Sequence, residues 1–425
     1  MHEGPGRAGS GPGWGAHMHD ETSPRYAGWR VVLACFLLAL SIFGFALYGQ
    51  GVYLVELQRL NGWPASLISG AITLSLLIGN VIVIFTDEIV ARLGLKRLVL
   101  AGIASLAGSM VLLAFASAPL TLYAAFALMS LGWVGMGTVI ISAVVGSWFV
   151  KRRGLAISLA FLGASSGGVI VAPLLVLLVA HVGFQAAMLT AVTIMLAVLV
   201  PVTFAWIGPP SAWAGPVDPR TDEPSRSQAS AAPNGITRAQ VMRRLGFWTI
   251  TAPFAFGVMA QVGFIVHQIA MLEPKIGHVG AGLAVSVMTS MAIAGRLCLG
   301  MIADRLDLRI AAAASLVSQA VALLTIWQTD DVRLVLAASA VFGLSVGNLI
   351  TLPPLIIHRE FEAASFTVVM GLFTAISGTI GALGPGLIGL VRGWSGDYGA
   401  ALLLSIVLEV IAAAIVIGRR VLPRA

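Results

Sequence analysis

Residues 208–245 read GPPSAWAGPVDPRTDEPSRSQASAAPNGITRAQVMRRL. The stretch holds no long apolar run, and its Pro, Ser and charged residues are those of a flexible linker. What flanks it decides the fold. Before it, apolar runs cover about 29–55, 65–86, 97–117, 120–149, 154–180 and 184–207; after it they cover about 246–272, 280–303, 310–327, 333–357, 365–391 and 398–418. Each is long enough, as a helix, to cross the roughly 30 Å of hydrocarbon in a bilayer. The expected fold is an all-α membrane protein with twelve transmembrane helices in two six-helix halves, 29–207 and 246–418. The linker at 208–245 joins them, and tails at 1–28 and 419–425 flank them.

Composition agrees. Of the 425 residues 58% are hydrophobic and 10% charged, and the mean hydropathy is +0.96, whereas soluble domains carry about 25% charged residues. So few charges cannot cover a water-facing surface, and most of this surface must face lipid. The 48 glycines would weaken the helices of a soluble protein, but they let membrane helices approach closely. The first 24 residues are rich in Gly, Pro and His and lack an apolar core. They read as a disordered tail, not a signal peptide. Cys35 and Cys298 sit singly in distant apolar runs, which argues against a disulfide framework or a zinc site.

The net charge of +7 could point to nucleic acid, but the basic residues are dispersed over short loops. With the N-terminus inside, 20 of the 25 Lys and Arg residues fall on the cytoplasmic side, among them Arg92, Lys96, Arg97 and Lys151 to Arg153. Only Arg59, Lys275, Arg333 and Arg392 fall outside, and Arg296 lies within a run. Basic residues are retained on the cytoplasmic side of membrane proteins, so both termini are expected there, in a multi-pass protein of the plasma (inner) membrane.

A shift of about 212 residues brings the two halves into register. Ala91 to Lys96 then lies over Asp304 to Arg309, Trp148-Phe149 over Glu360-Phe361, and Pro173 over Pro385. Related halves are the architecture of alternating-access transporters, with the substrate site between them near the midplane.

Halves and punctuation together resemble the major facilitator superfamily over about residues 29–418. Gly300-Met301-Ile302-Ala303-Asp304-Arg305 is similar to that family's loop motif, Gly-x-x-x-Asp-Arg; the earlier copy keeps Arg92, Gly94 and Lys96 but has Ala91 where the Asp belongs. Trp148 to Ala156, running into Gly163 to Gly168, resembles the monocarboxylate transporters and the related oxalate/formate exchangers, as does Gly295 to Gly300. The resemblance implies a substrate-binding arginine at Arg296, and a cytoplasmic charge latch at Asp304 and Arg305 with Arg92 as its N-half counterpart. It also marks departures. Ala292 stands where proton-coupled relatives carry Asp, Tyr48 aligns with a lysine of the first helix, and the eleventh run lacks the second cation of the oxalate exchangers. A site with one arginine suits a monoanion.

Without the resemblance, Arg296 is still the one Lys or Arg residue well inside a run, about seven residues from its cytoplasmic end. A charge there costs about 2.5–3.5 kcal/mol. It must therefore face water, a partner or a ligand, and a guanidinium fork suits a carboxylate; snorkelling to the surface is the structural alternative. Tyr48, Gln50, Gln261 and Asn348 are the polar candidates to orient a small anion, or else to bridge helices. Glu409, the carboxylate deep within a run, and His267 are the candidate proton carriers. Each has an equally simple structural role. Glycine-rich stretches at 163–168 and 378–386 permit close packing and bending, and they lack the Gly-Lys-Ser/Thr ending of a nucleotide loop.

The function expected is secondary active transport of a small organic anion, a monocarboxylate above all, by alternating access with proton coupling or exchange. Export of drugs or other metabolites is the alternative. No cofactor, metal, nucleic acid or nucleotide is expected, and the partners are the anion, protons and the lipid bilayer. An enzyme would need acids or histidines clustered at one interface, which the short loops do not offer.

Overall fold

A computed structural model describes residues 21, 23, 26–208, 237–362 and 365–418, the side chains of Asp304 and Thr367 excepted. Most of the expected tail at 1–28, residues 209–236 of the linker and the tail at 419–425 lie outside them. All regular structure among the described residues is helical. The N-terminal half comprises α1 (28–61), α2 (Ala65–Val83), α3 (Leu95–Ala114), α4 (Pro119–Gly146), α5 (Arg153–Val182) and α6 (Phe184–Trp206). The C-terminal half comprises α7 (245–276), α8 (278–302), α9 (Leu308–Gln328), α10 (Val332–Glu360), α11 (366–395) and α12 (Gly399–Gly418).

Among the described residues eleven helical segments are long and apolar enough to cross a membrane, and one of them runs from Leu245 to Ile302. At ~1.5 Å per residue that segment would be roughly 87 Å long, far more than a bilayer needs. It is broken at Gly277, where φ is 76° and ψ 168°, three residues after Pro274. A side chain would be strained in that backbone conformation. The two arms are therefore separate crossings, and the twelve expected spans are present. The expected boundaries agree to within a few residues, except that α1 continues to Asn61, where Gly62 (φ 67°) closes it.

Helix ends follow their capping chemistry. Asp307 opens α9 by accepting from the Arg309 and Ile310 N–H groups at 3.0 and 3.2 Å, and Asp331 opens α10 by accepting from Arg333 and Leu334 at 2.9 and 3.0 Å. Four helices are irregular within the membrane; α4 is interrupted at Gly137, where the backbone is extended (φ −81°, ψ −169°). Residues Gly44–Tyr48 of α1 and Gly167–Val171 of α5 form wider π turns, and α11 breaks at Leu383. The α5 turn and the α11 break are 212 residues apart at residues 171 and 383, so the sequence repeat is also a repeat of backbone geometry.

The same offset relates two latches near the chain ends. Lys96 Nζ donates to the Phe204 carbonyl at 2.9 Å, and Arg309 Nη1 donates to the Val416 carbonyl at 2.9 Å. Arg309 also forks onto Glu360 (Nε–Oε1 2.6 Å, Nη2–Oε2 2.8 Å) and reaches Thr249 Oγ1 at 3.2 Å, tying α7, α9, α10 and α12 together. Where the C-half has Glu360, the N-half has Trp148, whose indole donates to the Gly208 carbonyl at 3.2 Å. Among the gating candidates, Arg305 and Arg92 are exposed, and the Asp304 side chain lies outside the described residues. The bidentate pair that does bind the helices here, Arg309 with Glu360, was not singled out in the sequence.

Candidate functional site

The two halves meet along three helix pairs, and each pair is tight only on the side away from the chain ends. Between α2 and α11, a methyl on Gly389 would lie 3.0 Å from the Ser69 Cβ, and the Gly386 N–H donates to Thr73 Oγ1 at 2.8 Å. Between α5 and α8, Ser286 Oγ donates to the Val169 carbonyl at 3.1 Å, and Gly282 packs on Val176. Between α1 and α7, Gly51 abuts the Val266 carbonyl and Ile269. Small residues bring these backbones together. Toward the chain ends the contacts loosen. A Cβ on Gly378 would be 3.6 Å from Asn80, and Gly371, Gly154 and Gly300 would meet nothing within 4 Å. All four lie, by helical spacing, on the seam-facing sides of their helices. The halves thus part toward the chain-end side.

Arg296 sits where they part. Gly282, Ser286 and Thr289 present one face of α8 to α5, with Thr289 against Gly168. Arg296 follows Thr289 by seven residues, two turns along the same face and roughly 10 Å nearer the chain ends. Across the seam, Tyr48 in the π turn of α1 lies within electrostatic reach of it. Tyr48 shares its helix face with Gly44, which packs on Val171 of α5, and with Gly51, which packs on α7. The π turn is thus the wedge that brings the phenol to the seam, and such turns are frequent at functional sites.

The rotation of α8 is fixed from behind. A methyl on Gly343 would strike the Met288 carbonyl oxygen, one on Gly347 the Ala292 carbonyl, and one on Gly295 the Leu344 carbonyl. Backbone therefore touches backbone between α8 and α10, leaving no freedom to turn the Arg296 side chain out of the seam. The guanidinium enters none of the hydrogen bonds or ion pairs among the described residues, and its Nε is buried without a partner. A half-buried guanidinium whose Nε lacks a partner is costly, and a planar anion would satisfy it through two parallel N–H donors.

The other expected ligand groups separate into two sets. Gln50 is near Tyr48 on α1; its Nε2 donates to the Ala46 carbonyl at 2.6 Å and its Oε1 is buried without a partner. Gln261 and Asn348 instead turn toward α9, where Gln261 Oε1 accepts from Gln319 Nε2 at 3.2 Å and Asn348 Nδ2 donates to Ser315 Oγ at 3.2 Å. Glu409 belongs to the same interior of the C-half. It is fully buried near Gly257, and neither carboxyl oxygen meets a partner. His267 is also fully buried: Nε2 faces the Pro385 carbonyl at 3.0 Å and Nδ1 the Tyr398 hydroxyl at 3.1 Å. A carbonyl only accepts, so Nε2 carries the proton and a neutral ring satisfies both contacts. Among the described residues, no three His, Cys, Asp or Glu side chains form a metal cluster.

The seam also holds ionisable residues that the sequence did not single out: Glu56 at the far end of α1, and Glu273 and His278 around the α7–α8 break. They fall just outside the apolar runs at 29–55, 246–272 and 280–303; Glu273 and His278 are neighbours across the Gly277 break, and only Glu56 joins them from the other half.

Comparison with known proteins bears on this arrangement. The sequence profile of the Major Facilitator Superfamily matches residues 34–273. The human protein Monocarboxylate transporter 11 is 28% identical over 357 residues, 79% of this chain and 70% of its own length. Two solved structures of a bacterial homologue of the human lysosomal transporter Spinster share the fold at 14% identity. The inward-facing, unoccupied form superposes with a TM-score of 0.68, covering 93% of this chain and 97% of the other, and the inward-facing, occupied form with 0.69, covering 94% and 97%.

Proposed function

The chain belongs to the major facilitator superfamily, and from that premise we propose that it carries a small monocarboxylate across the membrane by alternating access, with Arg296 as the anion-binding group. The observation that carries this reading is the unpaired guanidinium on the seam face of α8, opposite Tyr48. A single fork donor matches one carboxylate, and the phenol beside it orients a hydroxyl or keto oxygen of the same substrate. Gln50, with one free carbonyl oxygen, stands nearby to do the same. The 28% identity to Monocarboxylate transporter 11 supports the substrate class. Gln261 and Asn348 tie α7 and α10 to α9, through their bonds to Gln319 and Ser315.

The distribution of basic residues supports placing the chain ends in the cytoplasm. On that orientation the closed side of the seam is external, and Arg296 faces a cleft open to the cytoplasm. Glu409 and His267 both lie within the C-half, so a proton taken up by either would act on α7, α11 and α12 before it reached Arg296.

Uptake of labelled lactate, pyruvate, formate and oxalate into proteoliposomes, with and without an inward proton gradient, tests the reading. Saturable uptake of a monocarboxylate is expected, lost in Arg296→Ala and weakened at least about tenfold in Arg296→Lys, which keeps the charge but not the fork. Normal uptake by the Arg296→Ala variant would remove Arg296 from the site, and carriage of oxalate alone would replace the monoanion with a dianion.

A further inference from the structure

We propose that Phe43 and Trp133 form a specificity wall on which the substrate stacks an aromatic ring while Arg296 holds its carboxylate, so that the preferred cargo is an aryl 2-oxo or 2-hydroxy acid. The inference rests on the monocarboxylate reading and adds to it the other end of the substrate. Phe43 immediately precedes the π turn of α1 that ends in Tyr48. In that turn the Gly49 N–H donates to the Gly44 carbonyl, five residues back, at 2.7 Å. Residues five apart therefore share a face there, as residues four apart do in an α-helix. Phe43 thus lies one turn below Tyr48, on the face that Tyr48 turns toward Arg296.

Trp133 of α4 completes the wall. Its ring centroid is 4.8 Å from that of Phe43, with the planes 56° apart. On its other side, a methyl on Gly79 of α2 would be 3.9 Å from the indole. The far face of α4 is taken up by α3, where Gly132 and Gly135 abut Leu106 and Gly102. A side chain of α4 that touches α1 and α2 at once, with α3 behind it, stands at the front of the N-half, and both rings are half-buried. Gly79 adjoins Asn80, where the contact between α2 and α11 begins to loosen. Trp133, Tyr48 and Asn80 each lie roughly 20 Å from the external ends of their helices, at ~1.5 Å per residue. The two rings therefore stand at the level at which the halves part.

The chemistry of this face favours an apolar body. Toward the cytoplasm the wall continues along α1 in Leu40, Leu37 and Leu33, at helical spacing. Leu33 is 47% exposed on a helix packed elsewhere against α4, α5, α6 and α7. A ring that leaves water for this face gains from apolar burial and from offset or edge-on stacking against the two aromatic side chains. The contacts match one molecule: a carboxylate on the Arg296 fork, the neighbouring oxo or hydroxyl oxygen on the Tyr48 phenol, and an aryl group beyond it on Phe43 and Trp133. Lactate, pyruvate and formate have no apolar body to cover the rings.

Uptake of labelled phenylpyruvate and pyruvate into proteoliposomes tests the wall, in wild type and in Phe43→Leu, Trp133→Leu and Trp133→Phe. Leucine keeps the site apolar and removes the ring, and pyruvate uptake reports that each variant is folded and cycling. Wild type is expected to favour phenylpyruvate over pyruvate by at least about tenfold in kcat/KM, the discrimination that burial of an added apolar group supplies. Either leucine substitution should cut that ratio by about threefold or more and leave pyruvate uptake unchanged, whereas Trp133→Phe, which keeps an aromatic face, should retain the preference. Pyruvate carried as well as phenylpyruvate by the wild type would overturn the wall and leave the monocarboxylate reading standing, as would a ratio that neither leucine substitution moves. If neither acid is carried, both fall. Phenylpyruvate uptake that survives Arg296→Ala and still depends on Trp133 would support the wall and remove the arginine from the site.

Discussion

Arg296 and Glu409 carry similar sequence signals, a lone charge within an apolar helix, and opposite surroundings. Arg296 lies on a helix face that leads into the cleft, so a ligand can reach its unpaired donors. Glu409 is sealed between α7, α9 and α12 with both oxygens unpartnered, and a buried carboxyl with no hydrogen bond is a standing cost. Glu409→Leu, which keeps the volume and removes the polar atoms, should therefore stabilise the protein by about 1–3 kcal/mol, seen as a higher midpoint of thermal denaturation in detergent. A lower midpoint would mean that the carboxyl has a partner. Loss of proton-driven uptake with stability intact would instead make Glu409 the proton carrier. The sequence nominated Arg296 as the substrate-binding group and Glu409 as a candidate proton carrier with an equally simple structural role; which side each charge faces is set by helical spacing relative to neighbouring helices, not by depth.

At the scale of helices, the glycines determine how the site is held. Gly343, Gly347 and Gly295 let α8 and α10 touch backbone to backbone, which fixes the direction of Arg296. The expected outcome for Gly343→Ala follows from overpacking: the added methyl meets the Met288 carbonyl, which cannot move without its helix. A loss of about 1–3 kcal/mol is expected, with substrate affinity falling more than expression. Thermal denaturation and a saturation curve for uptake check the two effects separately. Unchanged stability would show that α10 can retreat. The sequence marked glycine-rich stretches in α5 and α11 as sites of bending, and the π turn at Gly167–Val171 and the break at Leu383 lie there. The α1 π turn at Gly44–Tyr48 had no comparable signal, since one glycine opens it and the insertion depends on packing against Val171.

For the whole molecule, closure of one seam edge with the other apart makes a specific cross-link possible. A Cβ on Gly393 would lie 3.8 Å from the Ser66 Cβ, at the usual separation across a disulfide. Ser66→Cys with Gly393→Cys, in a Cys35→Ala, Cys298→Ala background, should form a disulfide on mild oxidation. Transport should then fall to background and return on reduction, because α2 and α11 can no longer part. Uptake with the cross-link demonstrably formed would mean that the cycle does not open this edge.

The all-helical membrane fold and its twelve crossings were legible in the sequence, because they rest on local or additive properties: apolar length against bilayer thickness and a low, dispersed charge. Arg296 and Tyr48 could be named by the same logic. Tertiary structure alone decided the grouping. It set Arg296 against Tyr48, turned Gln261 and Asn348 toward α9, enclosed Glu409 and His267 within one half, and brought Glu56 and Glu273 around His278. These groupings join residues on separate helices, as far apart as Tyr48 and Arg296; those within the C-half depend on how its helices pack and those across the seam on how the two halves dock, which no single helix encodes.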